Sequence, residues 1–255
     1  MQHLRPKKQL GQHFLHDRHT AERIVGSLEA PAEAPVAEIG PGEGALTGLL
    51  AARFADLRLV EVDPDAVALL QARFAGTPVQ ILHEDVLRWD PAASLPGPAW
   101  FIGNLPYNIS SPFFFLLLEQ RRWVQGGVFM IQKEVAERIC APHGSKVYGI
   151  LSVLIQSYFE AKLLFSVPPG AFRPPPKVMS AVIRLRPRAE EPPVGFETLR
   201  RLVKAAFGQR RKTLRNALHA LPLAEFPGKA ELLSQRAEQL SLAEFHLLAQ
   251  QLLEP

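Results

Sequence analysis

The chain of 255 residues contains few of the features that would indicate a disulfide-bonded, membrane-spanning or secreted protein. It contains one cysteine, Cys140, so no internal disulfide can form, and this low count fits a reducing cytosol. No stretch approaches the roughly 18 apolar residues of a membrane span. The tempting run FFFLLL covers only residues 113–118. The basic N-terminus has no continuous apolar region of secretory length. We therefore expect a cytoplasmic protein.

Metal-ligand clusters and hydrolytic triads are also missing from the sequence. The histidines, including His143 and His246, do not have metal-ligand spacing, and the sequence predicts no metal site. No Ser-His-Asp constellation stands out. Charge of one sign is only in mild excess, since the net charge is +4 and the pI is near 9.4. A mild positive balance suggests an anionic partner where the basic residues cluster.

Strand-like and helix-like segments alternate over the first two thirds of the chain. The strand-like segments are the apolar runs VAEIG, LRLVEV, VQILHED, AWFIG and GGVFMIQ. Helices separate most of them, which predicts right-handed crossovers and a parallel sheet, that is, an α/β fold. In such folds ligands lie at the carboxyl ends of the strands, near the topological switch point.

A polar, proline-rich segment at residues 187–193 marks a change of pattern. Beyond it apolar residues repeat at helical spacing, as from Phe196 to Phe207, and only helices are predicted. We therefore predict two domains. Residues 1–187 form the α/β domain with a basic N-terminal arm, and residues 194–255 form a small all-helical domain.

The segment EIGPGEGALT, residues 38–47, is the strongest cofactor signal. A buried strand runs into Gly40, Gly42 and a third glycine, which let the backbone approach a ligand closely. Glu61 ends the second strand and suits the two hydroxyls of a ribose. Asp85 follows the third strand and can accept a hydrogen bond from an adenine amine. The glycines alone do not separate a nicotinamide dinucleotide from S-adenosylmethionine, because their spacing also fits a relaxed dinucleotide fingerprint.

The segment NLPY ends the next strand and favours S-adenosylmethionine. The amide oxygen of Asn104 and the carbonyl of Leu105 can both accept from the exocyclic amine of an adenine. Holding both hydrogens favours a tetrahedral nitrogen and aims its lone pair at a methyl donor. Pro106 stiffens the turn, and Tyr107 offers an aromatic face on which the base can stack. The alternative is that Asn-x-Pro only ends the strand in a turn.

Several segments together resemble the KsgA family of small-subunit ribosomal RNA adenine dimethyltransferases. They are KKQLGQHFLHD, EIGPGEGALT, VEVDPD, HEDVL, NLPYNIS, VPPGAFRPPPKVMSAVIRL, FGQRRKTLRN and RAEQLSLAEF. The resemblance implies S-adenosylmethionine as methyl donor and a Rossmann-like domain followed by a small helical domain. It also implies dimethylation of the N6 amines of two adjacent adenines in a hairpin near the 3′ end of 16S rRNA.

The resemblance also implies particular site residues. By position, the cofactor contacts of the family fall on His13, Leu15, Gly40, Glu61, Asp85 and Asn104. The family usually has Asn where this chain has His13, whose imidazole can still donate and accept. In adenine-N6 methyltransferases an aromatic residue near the proline-rich loop stacks on the flipped base. Here that residue is Phe172, which we expect opposite Tyr107; the alternative is that Phe172 anchors the core.

Basic residues near both ends of the chain suggest a surface that tracks RNA phosphates. They are Lys7, Lys8, Arg210, Arg211, Lys212 and Arg215. The alternative is that such a charge run is only a solvated face. We expect a monomer that binds 16S rRNA in the small ribosomal subunit or its precursor during ribosome biogenesis.

Two other functions remain open. One is an adenine-N6 methyltransferase of large-subunit rRNA, of the antibiotic-resistance type, which shares the catalytic segment. The other is a non-catalytic ribosome-assembly or transcription factor that keeps the fold. The segments FGQRRKTLRN and RAEQLSLAEF favour the small-subunit enzyme. Intact NLPY, Glu61 and Asp85 argue against a loss of catalysis.

Overall fold

The structure is a computed structural model that describes residues 4–253. Within this range the strands are β1 (Phe14–Leu15), β2 (Val36–Ile39), β3 (Leu57–Glu61), β4 (Gln80–His83), β5 (Ala99–Asn104), β6 (Val124–Gln132), β7 (Phe159–Val167), β8 (Phe172–Arg173) and β9 (Ser180–Pro187). The α-helices are α1 (Arg18–Gly26), α2 (Thr47–Ala51), α3 (Pro64–Arg73), α4 (Pro91–Ser94), α5 (Ser110–Glu119), α6 (Lys133–Ile139), α7 (Ile150–Tyr158), α8 (Phe196–Gly208), α9 (Leu214–Ala217), α10 (Lys229–Ser234) and α11 (Leu242–Gln250). In the described part of the chain, no helix is both long and apolar enough to cross a membrane.

Side-chain caps explain where several of these helices begin. Asp63 precedes α3 and accepts from the backbone N–H of Asp65, while Pro64 occupies the first turn, where no N–H is needed. Asp90 caps α4 in the same way, again before a proline. Ser241 and Glu244 form a capping box at the start of α11.

The main sheet has the strand order β4-β3-β2-β5-β6-β9-β7. Strands β4, β3, β2, β5 and β6 pair in parallel, and β9 runs antiparallel to β6. The chain moves outward from β2 to β4 and then returns to place β5 on the other side of β2. The topological switch point therefore lies between β2 and β5, where a ligand site is expected.

A second, two-stranded sheet joins the N-terminal segment to the proline-rich loop. Strands β1 and β8 pair antiparallel, with Phe14 opposite Arg173 and Leu15 opposite Phe172. Phe14, Leu15 and Phe172 are buried. This ribbon brings the residues around position 13 to the carboxyl edge of the main sheet.

The chain divides into two compact units, residues 4–136 with 162–187, and residues 137–161 with 188–253. Residues 137–161 thus group with the C-terminal segment, whereas the predicted domain bounds placed them in the first domain. The reason is packing, since α7 contacts both α8 and α11. Within this second unit the rings of Phe207 and Phe245 stack with their centroids 5.9 Å apart.

Candidate active site

A cavity of about 210 Å³ lies at the carboxyl edge of the main sheet, within the first unit. Its walls come from the segments that follow β2, β3, β4 and β5, together with residues 10–15. The predicted site residues that line it are His13, Leu15, Gly40, Gly42, Glu61, Asp85, Asn104, Leu105 and Tyr107. His13 and Asn104, which are 91 positions apart in the sequence, therefore meet at one place. Among residues 4–253, no group of three or more His, Cys, Asp or Glu side chains could hold a metal ion.

The glycine-rich loop after β2 needs glycine for its backbone conformation and for close packing. Gly40 and Gly42 have φ angles of 63° and 55°, in the left-handed region that other residues rarely adopt. A side chain on Gly42 would also meet the ring of Phe14, whose atoms lie 3.0 Å from the position of its Cβ. The loop thus presents bare backbone to the cavity.

Glu61 holds this loop against the end of β3. Its Oε2 accepts from the N–H of Gly42 at 3.0 Å, and its Oε1 accepts from the N–H groups of Val62 and Asp63, each at 2.9 Å. Burial raises the pKa of Glu61, and these hydrogen bonds counteract that rise. A carboxylate has about four lone-pair positions, so Glu61 keeps acceptor capacity for a ligand hydroxyl. The sequence did not reveal this second, structural role.

Glu38 is a cavity residue that the sequence analysis missed. It lies within β2, is only 1% exposed, and accepts from the hydroxyl of Thr47 at 2.7 Å. The pKa of Glu38 is raised to about 8, chiefly by burial. The nearby charge of Glu61 adds to the rise, and the hydrogen bond from Thr47 opposes it. This rise favours the protonated form of Glu38 at neutral pH. A charged residue inside the apolar strand VAEI was the signal that pointed to it.

Asn104 ends β5 with its amide held in one orientation. Its Nδ2 donates to the backbone carbonyl of His13 at 3.1 Å, which leaves Oδ1 as the end of the amide available to a ligand. The next residue is fixed by the sheet, since the N–H of Leu105 donates to the carbonyl of Met130 at 3.0 Å. The preceding Gly103 packs so closely that an added Cβ would lie 2.5 Å from the Ile39 carbonyl.

Tyr107 and His13 form an aromatic pair at the cavity. Their ring centroids are 5.4 Å apart. The hydroxyl of Tyr107 bonds to the buried hydroxyl of Ser180 at 2.6 Å, and burial raises the pKa of Tyr107. Nδ1 of His13 donates to the carbonyl of Pro174 at 2.8 Å. These bonds fix both rings and also tie the proline-rich loop to the cavity.

Phe172 lies elsewhere than we expected. Its side chain is 2% exposed and belongs to the hydrophobic core, and it is not among the residues that line the cavity. The pairing of β8 with β1 turns the ring inward, because Phe172 lies opposite the buried Leu15. The structure therefore favours the core-anchor alternative for this residue, and a stacking role stays a prediction.

The predicted RNA-contact residues differ in their surroundings. Lys7 is only 30% exposed, and its Nζ lies 2.5 Å from Oδ1 of Asp63 and 2.6 Å from Oδ2 of Asp65. The side chain of Lys8 lies outside the described part of the structure. In the second unit, four basic side chains are exposed on and after the end of α8: Arg210, Arg211, Lys212 and Arg215. Lys7 is thus already paired with carboxylates, whereas the second-unit group faces solvent.

Comparisons with known proteins identify the family of the chain. The family model described as ribosomal RNA adenine dimethylase matches residues 3–252. A small-subunit ribosomal RNA methyltransferase A of Xanthomonas axonopodis pv. citri is 49% identical over 249 residues, which cover 95% of each chain.

Two solved structures share the fold over most of the chain. A dimethyladenosine transferase from Plasmodium falciparum has a TM-score of 0.82 and 24% identity, covering 92% of this chain and 96% of its own. The 23S rRNA methyltransferase ErmE has a TM-score of 0.72 and 28% identity, covering 93% and 100%.

Together these matches confirm the predicted Rossmann-like methyltransferase fold, the activity and the methyl donor. The protein is an enzyme that dimethylates adenine in ribosomal RNA with S-adenosylmethionine. The match over almost its full length shows that the chain belongs to the ribosomal RNA adenine dimethylase family.

Proposed function

We propose that the chain dimethylates the N6 amines of two adjacent adenines in a hairpin near the 3′ end of 16S rRNA. The observation that carries this proposal is the fixed amide of Asn104 at the end of β5, in the wall of the cavity. The choice of subunit is supported by the higher identity to a small-subunit enzyme, 49%, than to a 23S rRNA methyltransferase, 28%.

The cavity has the chemistry that S-adenosylmethionine requires. The left-handed glycines, Gly40 and Gly42, leave room where a side chain would intrude, and Glu61 and Asp85 offer carboxylate oxygens. Leu15 adds apolar surface. We propose that these residues hold the donor, which supplies the methyl group when bound. Each acid follows a different strand, so the two can contact separate parts of one extended ligand.

The end of β5 then acts on the acceptor amine. Oδ1 of Asn104 and the carbonyl oxygen of Leu105 accept its two N–H bonds, which draws the nitrogen lone pair out of the ring. These contacts strengthen as the nitrogen becomes tetrahedral, so they lower the barrier more than they strengthen binding. The face of Tyr107 supports the base. No general base is required in advance, because the methylated nitrogen is acidic and releases its proton to water.

We propose that the RNA is held chiefly by the exposed basic group of the second unit, Arg210, Arg211, Lys212 and Arg215, with a contribution from Lys8. Phosphate contacts of this kind position the substrate without reading its sequence. The two-domain prediction fits this division, with chemistry in the first domain and RNA attraction in the second. We further propose that the enzyme works as a monomer in the cytoplasm, where ribosomal subunits are assembled.

Mapping the methylated bases tests the proposal. The protein would be incubated with labelled S-adenosylmethionine and with small and large subunits from a strain that lacks the modification. We expect two adjacent dimethyladenines near the 3′ end of 16S rRNA. Label in 23S rRNA alone would support the large-subunit enzyme instead. Binding to small subunits with no transfer of label would support a non-catalytic assembly factor.

A further inference from the structure

The buried carboxylate of Asp63 uses both of its oxygens to hold the N-terminal segment. Asp63 is 2% exposed. Its Oδ1 accepts from Nζ of Lys7 at 2.5 Å, and its Oδ2 accepts from Nε2 of Gln12 at 2.7 Å. The backbone N–H of Lys7 in turn donates to Oε1 of Gln12 at 2.8 Å. Lys7, Gln12 and Asp63 therefore form a closed ring of hydrogen bonds.

This ring is continuous with the group that fixes Asn104. Gln12 is followed directly by His13, whose carbonyl accepts from Nδ2 of Asn104 at 3.1 Å. The ring of His13 also contacts Tyr107. A displacement of residues 7–12 would move this carbonyl and release the amide. The ion pair after β3 is thus connected, through Gln12, to the carbonyl that orients the reactive amide.

Both pKa shifts favour the charged forms of this ion pair. Burial acts to raise the pKa of Asp63, but the hydrogen bonds from Lys7 and Gln12 hold it below its usual range. The hydrogen bond to Asp63 also raises the pKa of Lys7. Both groups are therefore charged at neutral pH. Removing Lys7 leaves the buried carboxylate of Asp63 without its charged partner, which costs more than losing an exposed ion pair. Removing the charge of Asp63 still leaves Lys7 paired with Asp65.

We propose that Lys7 and Asp63 are positioning residues for methyl transfer, acting through the His13 carbonyl on the amide of Asn104. The inference rests on the proposed role of Asn104. It gives Lys7 a function inside the first unit in place of the predicted phosphate contact.

The test compares Lys7→Ala, Asp63→Asn and the double variant with wild type. Asn at position 63 still caps α3, because its side-chain oxygen can accept from the Asp65 N–H. Asp90→Asn is the matched control for the helix cap, since the side chain of Asp90 also caps a helix before a proline, but it accepts from the N–H of Ala92 and not from the N-terminal segment. Lys7→Arg keeps the positive charge and is expected to retain the activity that Lys7→Ala loses. The thermal midpoint of each variant shows whether it is folded.

We expect Lys7→Ala and Asp63→Asn each to lower the rate at saturating RNA and cofactor between about 10- and 100-fold. The double variant should be no slower than the slower single variant, since both changes break one interaction. The share of monomethyl product should rise, because a loose amide holds the remaining N–H less well. The salt dependence of RNA binding should stay that of wild type.

Two results would overturn the inference. In one, Lys7→Ala has a normal rate at saturating RNA but a salt slope smaller by roughly 0.7, which identifies a phosphate contact. In the other, Asp63→Asn behaves like Asp90→Asn. If wild type methylates rRNA and Asn104→Ala does not, either result removes only this inference. Absence of methylation by wild type would instead remove the proposed function.

Discussion

The polar groups at the carboxyl edge of the main sheet are fixed by hydrogen bonds within the protein, whereas the basic residues after α8 are exposed to solvent. At the sheet edge, Glu61 and Asn104 are each held by hydrogen bonds within the protein before any ligand arrives. By contrast, Arg211, Lys212 and Arg215 are exposed to solvent. Arg210, also exposed, donates to the backbone carbonyl of Lys146.

This difference corresponds to two physical tasks. Methyl transfer requires acceptors that are already oriented when charge develops, since reorganisation would add to the barrier. Attraction of RNA requires positive charge that reaches phosphates, and flexible exposed side chains serve that purpose. Substitutions in the two regions should therefore affect different measured quantities.

The largest effect is expected for Asn104→Ala. Removing Oδ1 takes away one of two acceptors that hold the reacting amine. By analogy with the loss of one oxyanion-hole donor, the barrier should rise by about 3–4 kcal/mol. RNA affinity, measured by filter binding, should change little, because Asn104 does not reach phosphates. A loss of RNA affinity as large as the loss of rate would contradict the division between the two regions.

A smaller effect is expected for Glu61→Ala, and it falls on the cofactor. The ribose hydroxyls lose a charged acceptor, and the glycine loop loses its anchor at Gly42. Affinity for S-adenosylmethionine should weaken by roughly 1.5–3 kcal/mol, measured by calorimetry. Glu61→Gln keeps one side-chain oxygen and should weaken binding less. Unchanged affinity in a folded Ala variant would remove Glu61 from the proposed cofactor site.

Neutralising Arg210, Arg211 and Lys212 together should act on RNA binding alone. Three lost phosphate contacts should reduce the slope of log affinity against log salt by about 2, at roughly 0.7 for each contact with single-stranded RNA. Cofactor affinity should be unchanged. Arg122→Ala is the control, since Arg122 is exposed and precedes β6 at the amino edge of the sheet. If the triple variant had the same salt slope as this control, the segment would be only a solvated face without phosphate contacts.

The last prediction concerns stability rather than catalysis or binding: the stability of the sheet edge should change with pH. The pKa of Glu38 rises from 4.5 to about 8 on folding, so the folded state binds more protons than the unfolded state between these values. Its contribution to stability is therefore complete below pH 4.5 and is lost as the pH rises towards 8. The thermal midpoint of Glu38→Gln, minus that of wild type, should increase as the pH rises through this range. A constant difference between the two midpoints would show that Glu38 does not titrate as described.

The sequence predicted those parts of the site that are encoded locally. In the loop after β2 and in the NLPY segment at the end of β5, the residue types themselves favour the local conformation, since glycine permits a positive φ and proline fixes φ. The end of each strand was therefore recognisable without knowing its neighbours. The alternation of strands and helices predicted that the strands of the sheet run parallel.

What the sequence could not predict depends on contacts between distant segments. Lys7 is a basic residue in a basic arm, and its partner Asp63 lies 56 positions away. The stacking role of Phe172 came from the resemblance and stays a prediction, whereas the burial of its ring follows from pairing opposite Leu15, a distant residue. Residues 137–161 join the second unit through the packing of α7, which has no local marker.

The most direct test of the account is the single-turnover rate of methyl transfer at saturating RNA and cofactor, measured for two variants side by side. For Asn104→Ala we predict a rate at least about 100-fold below wild type. For the triple variant of Arg210, Arg211 and Lys212 we predict a rate equal to wild type once RNA is saturating, because its defect lies in binding alone. A near-normal rate for Asn104→Ala, with the usual dimethyl product, would contradict the account and reduce NLPY to a turn that ends a strand.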